Sequence, residues 1–257
     1  MKKLIILFVA IAALCACQPK PAPKVGTAMR DTINGVPCYV YVPENYAARA
    51  AEEEFPVLYL HHGMYGCEDD WIEQGFLLEW MDSLLACQAV KEMVIIMPDN
   101  CPRKLIPEVE RANAMSGEWE KNFPQFMAET KRKYNVSEDP ELRAIAGLSM
   151  GGFHSMHVSH HLHGQFKYVG LFSPAIWCPE PNEVYDCWQE EVRLQMAENP
   201  VYWIAIGKED FLYEYVEEYR KWLDENHFAY TYYESEGGHT WPNWQDYICR
   251  FLPLLFK

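Results

Sequence analysis

The sequence predicts an α/β fold with a mostly parallel central sheet and helices on both faces. Two observations lead to this prediction. Short continuous apolar runs alternate along the chain with segments of helical spacing, and several of the apolar runs stop at glycine or proline. Strands of this kind, joined by helices, form a parallel sheet that is buried on both faces. The 257 residues are 49% hydrophobic and 23% charged, a composition typical of a globular protein.

The predicted elements follow one another regularly along the chain. The predicted strands cover 36–42, 57–60, 93–97, 143–146, 168–172, 201–206 and 229–233. The predicted helices cover 71–87, 118–134, 150–162, 211–226 and 241–255. We expect a long loop over 98–117 and an irregular insertion over 177–199. Because the sequence has no internal repeat and no second change of composition, residues 25–257 are interpreted as one domain.

The N-terminal residues have the features of an export signal. Lys2 and Lys3 precede an apolar run over 4–14, which suits the hydrophobic region of a signal peptide and is too short to span a bilayer. The run ends in Leu14-Cys15-Ala16-Cys17, which is similar to a bacterial lipobox. The alternatives are an ordinary secretory signal or a buried helix of the domain.

The lipobox interpretation makes residues 1–17 a lipoprotein signal peptide that ends at Cys17, the candidate lipid anchor. Residues 18–24 are rich in proline and are expected to form a tether. The protein is then expected to be exported and held at a membrane, in the periplasm or at the cell surface, through the lipid alone.

Charge and cysteine content exclude several classes of partner. The chain has 37 acidic and 22 basic residues and a net charge of -15, which repels nucleic acid but not a neutral sugar or small ester. None of the nine cysteines forms a CxxC pair that would indicate a zinc or redox site. Export permits disulfides, and Cys178 and Cys187 are close enough in sequence to close a small loop.

The strongest catalytic signal is Gly147-Leu148-Ser149-Met150-Gly151-Gly152, which follows a predicted strand and begins a predicted helix. This context is that of a nucleophile elbow, in which a sharp turn lifts the serine hydroxyl above the sheet. Ser149 is therefore the candidate nucleophile. Its position at a helix N-terminus favours developing negative charge. The alternative is a glycine-rich helix start without chemistry.

A serine nucleophile needs a histidine to take its proton and a carboxylate to orient that histidine. Asp210 comes just past the carboxyl end of a predicted strand, where open α/β sheets hold their sites, and it is the preferred acid. Glu209 and Asp186 are alternatives. His239 lies on a glycine-flanked loop after the last predicted strand and is the candidate base.

Two backbone amides are expected to form the oxyanion hole. One is the amide of Met150, directly after the nucleophile, and the other comes from the loop after the strand over 57–60. In that loop Met64 is preferred over Tyr65. The preceding pair, His61 and His62, is expected to orient this loop.

Two further groups of residues are weaker candidates. Trp119, Trp177 and Trp241 could line a sugar or aryl pocket, although tryptophan is equally common in cores. Histidines recur at helical spacing over 154–161, but no HExxH arrangement accompanies them, so no metal site is predicted there.

Together these motifs resemble carbohydrate esterase family 1 in the esterase D-like branch of the α/β-hydrolases. The likeness extends from Pro56 onward and rests on the segments 57–63, 144–152, 207–212 and 237–244. The resemblance implies an α/β-hydrolase fold, a triad of Ser149, Asp210 and His239, and no cofactor.

The resemblance also implies a substrate class. Members of this family remove feruloyl or acetyl groups from plant cell-wall polysaccharides and their oligosaccharides, so an acylated glycan is the expected partner. Alternatives are a serine peptidase or a siderophore esterase of the same fold, or a glycan-binding lipoprotein without catalysis.

Overall fold

The computed structural model describes residues 26–100, 117–176 and 188–257. Within these ranges, eight strands form one sheet in the order β1-β2-β4-β3-β5-β6-β7-β8. The strands are β1 (Thr27–Ile33), β2 (Val36–Val42), β3 (Val57–His61), β4 (Val94–Pro98), β5 (Arg143–Leu148), β6 (Tyr168–Phe172), β7 (Val201–Gly207) and β8 (Thr231–Ser235). Strands β3 to β8 pair in parallel, whereas β2 is antiparallel to both β1 and β4.

Helices cover both faces of this sheet, as the sequence predicts. They are α1 (Tyr46–Arg49), α2 (Asp70–Glu73), α3 (Leu77–Ala86), α4 (Glu118–Tyr134), α5 (Met150–His161), α6 (Trp188–Ala197), α7 (Tyr213–Glu225) and α8 (Trp241–Phe251), with 3-10 turns at Pro140–Leu142 and Leu252–Leu254. Side chains from α4, α5, α6 and α7 pack into one core cluster, and those from α2, α3 and α8 into another. No helix among the described residues is long and apolar enough to cross a membrane.

Three elements differ from the predictions. The single helix predicted over 71–87 is broken into α2 and α3, because Phe76 adopts a left-handed conformation (φ 51°) between them. Helix α6 lies within the insertion expected to be irregular. Strand β1 was not predicted, because as the edge strand it buries only Ile33 fully and so has the polar composition of a loop.

Helix α5 runs through the centre of the molecule. Every residue from Met150 to His160 is buried, so its polar side chains must find partners inside the protein. The Ser155 hydroxyl donates to the carbonyl of Gly151 (2.7 Å), and the His160 ring lies 3.1 Å from the Tyr202 hydroxyl. Because the helix is buried on all sides, its sequence has no polar face.

Two buried histidines of α5 should make the stability of the protein decrease at acidic pH. Burial lowers the pKa of both His157 and His160 to about 3. For His157, the nearby His160 ring is a second, smaller cause. Unfolded histidine titrates near pH 6.5, so below that pH the unfolded chain binds more protons and the free energy of unfolding falls as pH decreases towards 3. At pH 5 the expected loss is about 2 kcal/mol for each histidine.

The thermal midpoint measured between pH 7 and pH 5 checks this expectation. The matched variant His160→Gln can keep a hydrogen bond to Tyr202 but cannot titrate, so it should lose less stability on acidification than the parent. An identical pH dependence in both proteins would contradict the assignment.

Candidate active site

The strand-to-helix turn at Ser149 has the geometry of a nucleophile elbow. Ser149 adopts φ 54° and ψ -119°, between the end of β5 and the start of α5. Its amide donates to the carbonyl of Phe172 (2.9 Å), and its carbonyl accepts from the amides of Phe153 (3.1 Å) and Ala175 (3.0 Å). A non-glycine residue in this conformation is strained, and these three bonds hold it in place.

Glycine is required where α5 approaches the loop after β3. A Cβ on Gly151 would lie 2.4 Å from the His62 carbonyl oxygen and 2.7 Å from that of His61. Both contacts are to backbone atoms, so the helix and the loop would have to separate. A Cβ on Gly147 would in turn lie 2.4 Å from the carbonyl oxygen of Gly151. Gly147 and Gly151 therefore allow Ser149 to lie close to the loop after β3.

The variant Gly151→Ala should consequently be impaired in both stability and activity. We expect its free energy of unfolding to fall by about 1–3 kcal/mol through overpacking, and kcat to fall because Ser149 and the loop move apart. Chemical denaturation and steady-state kinetics measure the two effects. Gly35→Ala is the control. A Cβ at residue 35 would contact no atom within 4 Å, so the only unfavourable factor there is the positive φ of 81°. Equal losses of kcat in the two variants would contradict the explanation.

Asp210 and His239 form a hydrogen-bonded pair beside the elbow. The Nδ1 atom of His239 lies 2.8 Å and 3.0 Å from the two carboxylate oxygens of Asp210. The Asp210 side chain is fully buried, and one oxygen also accepts from the amide of Leu212 (2.9 Å). Because the carboxylate engages Nδ1, the proton is held there and Nε2 is the nitrogen available to a hydroxyl. Neither alternative acid takes this position: Glu209 is exposed, and Asp186 lies outside the described residues.

The loop that presents His239 is fixed by Asn243. The Asn243 side-chain amide donates to the carbonyl of Glu236 (2.8 Å) and to the hydroxyl of Ser235 (2.9 Å), and its oxygen accepts from Thr240 (2.9 Å). The histidine is thereby held from both sides of its loop. The sequence analysis gives Asn243 no role. It lies within 237–244, one of the segments that carry the family resemblance, and this position was the one indication of its importance.

Ser149 and His239 line the same cavity, which has a volume of about 570 Å³. The other lining residues are Gly63, Met64, Tyr65, Gly66, Asp70, Gln74, Leu148, Thr240, Trp241, Pro242 and Trp244. A cavity of this size accommodates a small organic ligand. Met64 and Trp241, both predicted site residues, therefore line the same cavity as Ser149. Asp70 and Gln74 also line it, and the sequence analysis did not predict either of them.

The candidate oxyanion loop is a tight turn after β3. The Gly66 amide donates to the carbonyl of Gly63 (3.1 Å), and Tyr65 has a positive φ of 65°. The buried His62 ring contacts the Gly63 carbonyl through Nδ1 (2.6 Å) and approaches Asp99 through Nε2 (3.3 Å). Asp99 directly follows β4, so the ring ties the loop to the neighbouring strand. Met64 lies inside this turn, and its role as an amide donor stays a prediction, as does that of Met150.

His61 fixes the end of β3 from the other side. The Trp119 indole donates to His61 Nε2 (3.2 Å), so the ring proton lies on Nδ1, which faces the Ser155 hydroxyl at 2.9 Å. Burial lowers the pKa of His61 well below its usual value, so the ring is neutral. Trp119 is therefore a buried core residue. It does not line the cavity that contains Ser149, so the expectation that it lines the substrate pocket is wrong. Trp177 and Cys17 lie outside the described residues.

The histidines of α5 have acidic partners that sequence spacing did not reveal. Both the His154 and Glu120 side chains are fully buried, and Nδ1 of His154 lies 2.8 Å from a carboxylate oxygen of Glu120. Burial alone would raise the pKa of Glu120, but the electrostatic and hydrogen-bond interactions with His154 outweigh it and lower this pKa. The contact pairs Nδ1 of His154 with a buried carboxylate that lies 34 residues away in the sequence.

The described residues contain one cluster with metal-ligand atoms close together. Cys67, Asp69 and Asp70 place one such atom each within 4.8 Å of the others. Asp69 is already paired with Arg30, and Asp70 accepts from Gln74 (3.1 Å). These interactions account for the cluster. Four described cysteines, at 38, 67, 87 and 249, are free thiols, and the predicted Cys178–Cys187 loop lies outside the described residues.

Phe211, an exposed aromatic residue beside the Asp210–His239 pair, is another site residue that the sequence analysis does not predict. The Phe211 ring centroid lies 4.6 Å from that of His239. Its position directly after Asp210 was visible in the sequence, but an exposed phenylalanine at that place cannot be distinguished from a core residue by pattern alone.

Comparison with known sequences gives a family for this geometry. A profile of the family described as "Putative esterase" matches residues 32–255. An endo-1,4-β-xylanase/feruloyl esterase of Xylanibacter ruminicola is 30% identical over 145 residues, which are 55% of this chain and 20% of the relative. The chain thus spans about a fifth of that protein's length in the matched region.

Comparison with solved structures agrees on the fold. A ferulic acid esterase superposes with a TM-score of 0.74 at 24% identity, over 90% of this chain and 98% of the other. A family 1 ferulic acid esterase of Anaeromyces mucronatus, solved with ferulic acid, superposes with a TM-score of 0.71 at 21% identity over 93% of each chain. At these identities the likeness establishes the α/β-hydrolase fold.

Proposed function

Because the chain belongs to the esterase family, we propose that it is a serine carboxylic-ester hydrolase that removes feruloyl groups from plant cell-wall polysaccharide or its oligosaccharides. The observation that supports this most strongly is that a hydrogen-bonded acid–histidine pair and the candidate nucleophile, all distant in the sequence, lie at one cavity. The Asp210–His239 pair opens onto the same cavity as Ser149, although 61 and 90 residues separate the acid and the base from the serine in the sequence.

The proposed reaction begins with proton transfer from the Ser149 hydroxyl to Nε2 of His239. The hydroxyl oxygen attacks the ester carbonyl, and the amides of Met64 and Met150 stabilise the oxyanion of the tetrahedral intermediate. His239 then gives the proton to the leaving alcohol. Water repeats the sequence on the acyl-enzyme and releases the acid. Throughout, Asp210 holds the imidazole and stabilises its positive charge.

The substrate assignment rests on the cavity and on the relatives. An acetyl group would fill little of a cavity of about 570 Å³, whereas an aryl acyl group would occupy much more of it. Trp241 offers an aromatic wall for such a group. The similarity to a xylanase/feruloyl esterase and to two ferulic acid esterases is consistent with this choice.

We also propose that the protein is an exported bacterial lipoprotein anchored through Cys17. The support is the lysine pair, the apolar run and the lipobox-like residues of the N-terminus. Incorporation of labelled palmitate by the full chain, and its loss in Cys17→Ala, tests the anchor. Palmitate-free protein from the parent sequence would contradict it.

Product release tests the substrate proposal. The protein is incubated in parallel with feruloylated arabinoxylan, acetylated xylan and a feruloyl amide, and the freed acids are quantified by chromatography. We expect ferulate release to exceed acetate release and amide cleavage. Predominant acetate release would transfer the assignment to acetyl esterase, and cleavage of the amide alone would favour a peptidase.

A further inference from the structure

Phe211 is the most exposed large apolar side chain of the described residues, with 68% of its surface accessible. It follows the acid directly in sequence. The turn that carries it is fixed, because the amide of Tyr213 donates to the Asp210 carbonyl (3.0 Å) and that of Leu212 to the Asp210 carboxylate (2.9 Å). The ring is therefore held at a defined place on the surface.

That place is in contact with the ring of the candidate catalytic histidine. The centroids of the Phe211 and His239 rings are 4.6 Å apart at an interplanar angle of 54°. Trp244 contacts the same imidazole at 4.9 Å and 90°, and it is 7% exposed. His239 thus contacts both a buried tryptophan and an exposed phenylalanine. The buried ring already provides packing for the histidine, so packing does not explain the exposure of Phe211.

The chemistry of ester cleavage indicates which part of a substrate meets Phe211. His239 delivers its proton to the oxygen of the leaving alcohol, so that alcohol must lie beside the imidazole. Phe211 touches the imidazole and does not line the cavity that holds Ser149 and Trp241. The ring therefore flanks the position of the alcohol rather than that of the acyl group.

We propose that Phe211 is a stacking platform for the sugar ring that carries the ester. An exposed phenyl face binds the C–H face of a neutral pyranose or furanose, whereas an anionic alcohol gains nothing from it. The acidic chain, with a net charge of -15, repels an anionic leaving group and imposes no such penalty on a neutral sugar. This inference rests on the proposed esterase function and adds a subsite for the alcohol.

The test compares two esters that share an acyl group. Values of kcat/KM are measured for methyl ferulate and for a feruloylated arabinoxylo-oligosaccharide, with the parent, Phe211→Ala, Phe211→Leu and Phe211→Trp. We expect the preference for the sugar ester, expressed as the ratio of the two values, to fall about tenfold in the alanine variant. The leucine variant should lose most of this preference, because it retains apolar bulk without a ring, whereas tryptophan should preserve it.

Leu194→Ala is the matched control, because it removes another exposed apolar side chain (41% accessible) from a different element; its ratio should equal that of the parent. An unchanged ratio in Phe211→Ala would overturn the proposal. Equal losses on both esters, together with a shifted pH profile, would also overturn it by assigning Phe211 to the histidine's environment. If the parent hydrolyses neither ester, the proposed function itself fails, and the subsite falls with it.

Discussion

Replacing Ser149 by alanine is expected to lower kcat for a soluble feruloyl ester by about 10⁶-fold, because the triad acts as a unit and loses its nucleophile. The backbone bonds that hold Ser149 involve only its amide and carbonyl, so the variant should fold. Steady-state hydrolysis of methyl ferulate measures the loss, and the thermal midpoint reports on folding.

Ser159→Ala is a matched control for this variant. Ser159 is a buried residue of helix α5, which begins directly after Ser149, and its hydroxyl donates to the carbonyl of Met156 (2.8 Å) within the helix. Its removal should leave kcat within a few-fold of the parent. Substantial turnover by a folded Ser149→Ala protein would exclude serine catalysis.

The second large effect is expected for Asp210→Asn, which should lower kcat by about 10⁴-fold. Asparagine keeps the shape of the side chain and can still accept from the Leu212 amide, but its NH₂ group can donate to Nδ1 of His239. The imidazole proton then moves to Nε2, and the ring no longer accepts the serine proton. Hydrolysis of methyl ferulate, measured across pH, gives the size of the loss.

Glu209→Gln distinguishes the two acidic neighbours. Glu209 is exposed, and of these two acids it is Asp210 that hydrogen-bonds to the histidine. The glutamine variant should keep activity within a few-fold of the parent. A large loss in Glu209→Gln with an active Asp210→Asn would reverse the assignment of the acid.

Local sequence patterns were sufficient for the parallel sheet and for the elements that carry the site. A buried strand such as Tyr168–Phe172 is a continuous apolar run bounded by polar residues, and its limits are visible directly. The turn around Ser149 combines a strand, two glycine positions and a helix start. In both cases the physical cause of the structure lies within a few residues.

Features that depend on distant contacts could not be predicted. The buried pair of Glu120 and His154 joins two helices, and the two residues are 34 positions apart in the sequence. Nothing in the sequence near either residue indicates the other as its partner. Trp119 could have faced a pocket or the core, and the choice depends on His61 in another element. The break at Phe76 depends on a backbone conformation that phenylalanine rarely adopts.

The central claim is that Ser149 becomes covalently acylated during turnover. The protein is mixed with an activated feruloyl ester, quenched in acid within one turnover, digested and analysed by mass spectrometry. We expect one feruloyl group per chain, located on the peptide that contains Ser149 and absent from Ser149→Ala. Ester turnover without any adduct at Ser149, under conditions in which a fluorophosphonate also fails to label that residue, would contradict it.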